Sequence, residues 1–224
     1  MKYTNAEMHF HTAETSYCAS ARACDSIPFY KENGYDLIVV TDHFNANYFN
    51  IPERPTAGEW RAACEKWLSG WREAKRAGKE HGVTVLLGGE FKLKDQMCEF
   101  LVYGLTEEMY LDHPKLYDMT VCELAEFAEK NGLFVAIAHP FREKERPDPV
   151  FYEGVEAVNG KLDDSRNDQA RGFAEENGLI PICGQDFHHL ENMRGIKMRF
   201  YGEVKDSETL IEKMRSKDYE IITH

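Results

Sequence analysis

A chain of 224 residues with 42% hydrophobic, 12% aromatic and 29% charged residues is long enough to bury a full core and has an ordinary globular composition. Acidic residues outnumber basic ones 39 to 27; the net charge of −12 repels a long phosphate backbone and argues against long nucleic acid as a partner. No run approaches the roughly 18 apolar residues of a membrane span, and the opening Met1-Lys2-Tyr3-Thr4-Asn5 lacks the apolar core of a signal peptide, so no membrane partner and a cytoplasmic location are expected. Six cysteines (Cys18, Cys24, Cys64, Cys98, Cys122, Cys183) include no Cys-x-x-Cys pair, which argues against a zinc knot and a redox motif. Reduced, mostly buried thiols are expected, with Cys18 set apart because it follows a histidine pair.

The first predicted element is a short alternating strand ending in Met8-His9-Phe10-His11. Period-two alternation puts His9 and His11 on one face and Met8 and Phe10 on the other. A polar loop from Thr12 to Cys18 leads to a helix over residues 19–33, ended by Gly34. Residues 36–41, Asp-Leu-Ile-Val-Val-Thr, read as a buried parallel strand that ends in Asp42-His43. Residues 44–55 form a polar and aromatic loop long enough to cover a site, and one long helix is expected over residues 57–80.

Residues 83–89 give a buried strand leading to Glu90, and residues 99–105 give another, ending in Thr106-Glu107-Glu108. A helix over residues 120–131 stops at Gly132, and the strand over residues 133–138 runs into His139-Pro140. The strand over residues 154–158 turns at Asn159-Gly160, a polar helix spans 165–176, and the strand over 179–184 is followed by Gln185-Asp186-Phe187-His188-His189. Strands over 197–204 and 219–223 flank a last helix over 206–217. Alternating strands and helices point to a mostly parallel α/β sheet with seven site-directed strands, in a single domain over residues 1–224. The absence of a Gly-x-Gly-x-x-Gly fingerprint counts against a dinucleotide-binding sheet. Ligand-type residues after strand upon strand favour a TIM-like barrel, whose sites sit at the C-terminal strand ends.

Those residues are His9, His11, His43, Glu90, His139, Asp186 and His188. Each alone is more often a hydrogen-bonded or solvated side chain, but their confinement to strand ends of one polarity makes a shared metal centre the better account. Imidazole mixed with carboxylate and no cysteine suits Zn²⁺, Mn²⁺ or Fe²⁺ better than Ca²⁺ or Mg²⁺. Arg142 and Arg166 are placed to grip an anionic group, against the common alternative of a surface ion pair. Asn159 reads as a turn residue, and Tyr48, Phe49 and Trp60 as packing.

The order His9-x-His11, Thr41-Asp42-His43, Glu90, Ala138-His139-Pro140, Asn159-Gly160 and Asp186-x-His188 resembles the PHP (polymerase and histidinol phosphatase) family of metal-dependent phosphoesterases. The resemblance runs from His9 to His188 and implies a distorted (β/α)7 barrel with up to three metal ions at its mouth. By position it implies His9, His11, Glu90 and Asp186 at a first metal site, Glu90 as bridge with His139 at a second, and His43 with His188 at a third. Two positions depart from the pattern. Where many members place a further histidine this chain has Tyr17 or a neighbour, with Glu14 the nearest carboxylate. After the fourth strand it reads Thr106-Glu107, and Glu107 or water is expected to complete the second site, for one to three ions per chain.

The expected activity is hydrolysis of a small phosphate monoester or diester, nucleotides among the candidates, by hydroxide held on divalent ions that also neutralise the phosphoryl oxygens. His43 or His188, if not held by a metal, would protonate the leaving oxygen. One rival is an amidohydrolase-like hydrolase of C–N or C–O bonds, whose barrels also open with His-x-His, although a lysine or further histidines usually stand where Glu90 does here. The other is a non-catalytic, metal-binding regulatory barrel. Nothing in the sequence specifies the substrate, the metal or the oligomeric state.

Overall fold

The aliphatic runs form strands and the stretches between them form helices, in a computed structural model that describes residues 2–49, 52–94, 96–142 and 151–223. The strands are β1 (Tyr3–Phe10), β2 (Leu37–Val40), β3 (His43–Phe44), β4 (Thr84–Phe91), β5 (Phe100–Tyr103), β6 (Phe134–Ile137), β7 (Gly154–Asn159), β8 (Ile180–Gly184), β9 (Lys197–Tyr201) and β10 (Tyr219–Ile222). The helices are α1 (Ala23–Glu32), α2 (Ala57–Trp67), α3 (Ser69–His81), α4 (Glu107–Asp112), α5 (Val121–Asn131), α6 (Asp164–Asn177) and α7 (Ser207–Arg215).

One sheet runs in the order β10-β9-β1-β2-β4-β5-β6-β7-β8, with β3 beside β4. It curls until its arms meet. Phe10 bridges Phe187, with His11 N donating to Phe187 O and Phe187 N to His9 O, each at 3.1 Å. The result is the expected TIM-like barrel, nearly closed and distorted. Met8, Leu37, Val39, Leu101, Phe134 and Met198 belong to the cluster inside the curve, while α1 to α5 pack on the outside through a larger aromatic cluster around Phe44, Trp60 and Tyr110. Among the described residues no helix is long and apolar enough to cross a membrane.

Four elements differ from the sequence reading. The chain over residues 99–105 was expected to point at the site, but β5 is antiparallel to both β4 and β6. Its C-terminal end, with Thr106 and Glu107, therefore lies at the far end of the barrel, and Glu99 takes the near end. The helix over residues 57–80 is interrupted at Leu68, where Thr15 Oγ1 donates to Trp67 O at 2.7 Å and accepts Gly70 N at 3.2 Å. A side chain inserted in the helical ladder is a recognised cause of a break. Gly70 is required there, since a Cβ would fall 2.0 Å from Thr12 Oγ1. Helix α1 starts four residues late because the Glu14 carboxylate accepts Ala23 N at 3.1 Å and so caps it. Helix α4 was not foreseen, although Thr106 Oγ1 accepts Met109 N at 3.3 Å as an ordinary N-cap. Asn50 and Ile51, within the 44–55 loop, lie outside the described residues.

Candidate metal centre

Strand β1 aims its histidines through a bulge. Glu7 pairs with Ile38 and Phe10 with Val40, so β1 carries one extra residue between them. Met8 thus faces the inner cluster and Phe10 the outer one, rather than sharing a face as simple alternation predicts. The same shift turns His9 and His11 together into the mouth, with ring centroids 5.0 Å apart.

The remaining ligand-type residues converge on that pair. His43 heads β3, paired with Glu90 on β4; His139 follows β6; Asp186 and His188 follow β8. His9 Nε2 lies 3.4 Å from Glu90 Oε1 and 3.8 Å from Asp186 Oδ1, and His11 Nε2 lies 3.4 Å from Glu90 Oε2 and 3.5 Å from Asp186 Oδ1. His43 Nδ1 and His139 Nε2 each stand 2.7 Å from a Glu90 oxygen. His188 Nδ1 is 2.9 Å from Asp186 O and 2.7 Å from Lys161 Nζ. Two of these residues hold backbone conformations that L side chains rarely adopt, φ 27° at His139 and φ 52° at Asp186. Backbone strain of this kind persists where the surroundings over-determine it.

Electrostatics follow from packing imidazoles and carboxylates out of water. Burial alone would lower the pKa of His9, but the charges of Glu156, Asp186 and Glu90 raise it well above the ordinary value. Burial pushes His11 well below it, helped by the charge on His43. His43 reaches about 11 against the burial penalty, mainly through Glu90. Burial opposes ionisation of Glu90 and Asp186, yet the surrounding histidines hold both well below the carboxylate range. The cluster thus keeps its carboxylates ionised deep in the barrel.

The donors fit a cation. His9 Nε2 and His11 Nε2 are fully buried and have no hydrogen-bond partner, although a Glu90 oxygen stands 3.4 Å from each. Ligand atoms lie within 4.8 Å of one another in four groups among the described residues: His9–His11–Glu90, His9–His139–Asp186, His43–Glu90–Glu99 and His11–His43–His188.

Three participants, Glu156, Glu99 and Lys161, escaped the sequence reading, and a fourth, Cys18, was set apart there only because it follows the histidine pair. Glu156 on β7 accepts from His9 Nδ1 at 2.9 Å and from His139 N at 2.8 Å, orienting two candidate ligands. Its signal was a lone acid inside an apolar strand run. Glu99 Oε2 stands 3.5 Å from His139 Nε2, at the place the sequence reading assigned to Glu107. Glu107 is instead paired with Arg72 outside the centre. Lys161 reaches His188 and Asp186, the latter at 3.4 Å. Cys18 replaces Tyr17 and Glu14 as the neighbour of the third corner: Tyr17 is exposed and stacks on Tyr48, and Glu14 caps α1. Burial would raise the Cys18 thiol, but hydrogen bonds with His188 and His43 bring it down to about 5.

A cavity of about 280 Å³ opens beside the cluster, lined by His43, Lys92, Glu99, His139 and Arg142 among others. Arg142 Nη1 lies 3.4 Å from His139 Nε2 and 3.8 Å from Asp186 Oδ2, so this guanidinium borders both the cavity and the cluster. Arg166 does not: it is paired with Asp163 at 3.7 Å on α6 and is absent from the cavity wall. Asn159 Nδ2 donates to Glu156 at 2.9 Å, and its Oδ1 accepts Lys161 N at 2.8 Å, so it supports the centre as well as the turn.

No protein-family model matches the chain. A DNA polymerase III of PolC type from Latilactobacillus sakei is 25% identical over 167 residues, 70% of this chain and 10% of that protein, so the chain spans about a tenth of that relative. A two-domain protein from Bacteroides vulgatus described as containing a predicted PHP-like metal-dependent phosphoesterase superposes with TM-score 0.73 at 14% identity, covering 100% of this chain and 65% of that one. A lesion-specific endonuclease from Pyrococcus furiosus superposes with TM-score 0.62 at 15% identity, over 98% and 58%. An amidohydrolase from Chromobacterium violaceum does so with TM-score 0.59 at 13% identity, over 98% of each. Fold and ordered motifs agree: the resemblance to the PHP-like metal-dependent phosphoesterases holds, and this chain has their distorted TIM-like barrel.

Proposed function

We propose that the chain is a metal-dependent hydrolase of small phosphate esters, working at the mouth of the barrel. The observation that carries this reading is the pair of orphaned, fully buried nitrogens, His9 Nε2 and His11 Nε2, facing Glu90 and Asp186 beside a cavity that holds a guanidinium. His9, His11, Glu90 and Asp186 would hold a first cation, and Glu90, His139 and Glu99 a second. Bound divalent ions supply a water acidified toward neutral pH and charge neutralisation at a phosphoryl group.

The chain's own groups do the rest. Arg142 offers donors to a phosphoryl oxygen from the cavity side, and Lys92 lines the same wall. Glu156 holds the His9 ring in register through Nδ1. His43 and His188 stand at the edge, where an imidazole serves as a ligand or as donor of a proton to the leaving oxygen, and not as both at once. A volume of about 280 Å³ suits a small ester, and a net charge of −12 weighs against long nucleic acid.

Hydrolysis of p-nitrophenyl phosphate and bis-p-nitrophenyl phosphate with Mn²⁺, Zn²⁺ or Fe²⁺ tests the reading. His9→Ala and Asp186→Ala are expected to abolish turnover, and Arg142→Ala to raise KM or lower kcat/KM for the ester. Cleavage of a p-nitroanilide or lactone with neither ester hydrolysed would give the amidohydrolase reading the lead. Metal binding without turnover on any of these substrates would favour the regulatory barrel.

A further inference from the structure

The turn after β7 sets a lysine into the cluster. Gly160 N donates to Gly184 O at 2.9 Å, and a Cβ on Gly160 would fall 2.7 Å from Gln185 O, so the turn lies close against the strand end that carries Asp186. Lys161 N donates to Asn159 Oδ1 at 2.8 Å and Leu162 N to Asn159 O at 3.2 Å, which fixes the backbone around Lys161. The side chain then reaches the cluster, with Nζ 2.7 Å from His188 Nδ1 and 3.4 Å from Asp186 Oδ1.

An ammonium has donors and no lone pair. Its contact with His188 Nδ1 therefore requires a lone pair on that nitrogen, and the neutral ring then carries its proton on Nε2. Asp186 O also lies 2.9 Å from Nδ1, but it sits two residues back in the chain, brought there by the left-handed backbone at Asp186. The charge-assisted bond from Lys161 is the shorter and stronger of the two. Both nitrogens of His188 are thereby closed to a metal, Nδ1 by the ammonium and Nε2 by its own proton.

Charge acts in the same direction. His11, His43 and His188 form a group of ligand atoms within 4.8 Å of one another that contains no carboxylate. Asp186 beside it already has a basic side chain at each oxygen, Lys161 at Oδ1 and Arg142 Nη1 3.8 Å from Oδ2. A further divalent ion at this corner would face two fixed positive charges.

We propose that Lys161 is a positioning residue that reserves His188 as a hydrogen-bond donor and keeps a divalent ion out of the third corner, so that the chain's own ammonium stands in for a third metal. The proposal rests on reading the cluster as a metal centre, and not on the reaction it performs. His188 then serves a bound anion through Nε2–H, and the ions of the centre are those held by His9, His11, Glu90 and Asp186 and by Glu90, His139 and Glu99.

Proton–nitrogen correlation spectra of the full chain, loaded with Zn²⁺ and labelled with nitrogen-15 histidine, read the tautomer without any variant of Lys161. His188, assigned by the signals lost in His188→Gln, is expected to carry its proton on Nε2 and a free lone pair on Nδ1. Elemental analysis after dialysis in Zn²⁺ gives the second readout: Lys161→Met frees His188 and is expected to hold one more ion per chain than the wild type. A wild-type His188 protonated on Nδ1 or bound to zinc through either nitrogen, or an ion count in Lys161→Met equal to or below the wild type's, would overturn the proposal. A wild type that takes up no ion would overturn the metal-centre reading beneath it as well. Neither readout involves ester hydrolysis, so an inactive protein with this tautomer and count, or an active one without them, separates this proposal from the proposed function.

Discussion

Two buried glutamates frame the centre, and their environments give them opposite duties. Glu156 receives the His9 ring and the His139 amide, so Glu156→Gln sets an amide where a carboxylate fixed the His9 tautomer. Metal affinity is expected to fall roughly 10–100-fold, as when other outer partners of ligands are removed, measured by competition with a chelator. Glu7, on the same strand as His9, accepts from His9 N at 2.8 Å and Gln185 N at 2.9 Å with one oxygen and meets Tyr30 Oη at 3.1 Å with the other. Burial drives its pKa from 4.5 to about 8. Between those values the folded chain keeps a proton that the unfolded chain has lost, so this contribution to stability is full below pH 4.5 and is lost as the pH rises through about 8. Glu7→Gln keeps the shape and cannot ionise. Urea unfolding at pH 5 and pH 8 should show the wild-type midpoint falling across that interval by more than the variant's; equal falls would place the ionisation of Glu7 elsewhere.

At the scale of elements, one reversed strand decides which carboxylate reaches His139, at the proposed second cation. Because β5 runs antiparallel to its neighbours, Glu99 at its start meets His139, and Glu107 past its end meets Arg72 at the far side. Glu99→Gln is expected to lower the number of ions bound per chain or weaken the second, by elemental analysis after dialysis, whereas Glu107→Gln leaves metal content unchanged. The converse result would restore the parallel reading of this strand. The break between α2 and α3 belongs to the same scale. Thr15 Oγ1 occupies the helical ladder there, and the loop that carries it also places Ser16 Oγ against Asp42 and the His43 amide.

For the whole molecule, curling the sheet until Phe10 meets Phe187 brings His9 beside Glu156, 147 residues away in the chain. The strand ends so assembled carry acids and imidazoles that a cation would bind together, so metal should stabilise the barrel as a unit. Ligand present at about 100 times its Kd adds about 2.7 kcal/mol. For a chain of 224 residues that corresponds to a Tm higher by about 5–10 °C. Calorimetry with and without a chelator checks this, and an unchanged Tm would mean that the cluster holds no ion of consequence.

The sequence by itself determined which candidate ligand residues converge and their order along the chain. His9, His11, His43, Glu90, His139, Asp186 and His188 were legible because strand periodicity marks where each strand ends, and barrel sites gather at such ends. The same local signal read the apolar strands, and the helices α5, α6 and α7 to within one or two residues. Only the tertiary structure decided the rest. Strand direction depends on pairing partners rather than on local pattern, so the reversal of β5 and the exchange of Glu107 for Glu99 were invisible along the chain. A bulge shows only against its partner's register, so the opposite facing of Met8 and Phe10 needed β2. Glu156, Lys161 and Cys18 carry no motif of their own; what makes them part of the centre is that closure of the barrel sets them against His9 and His188.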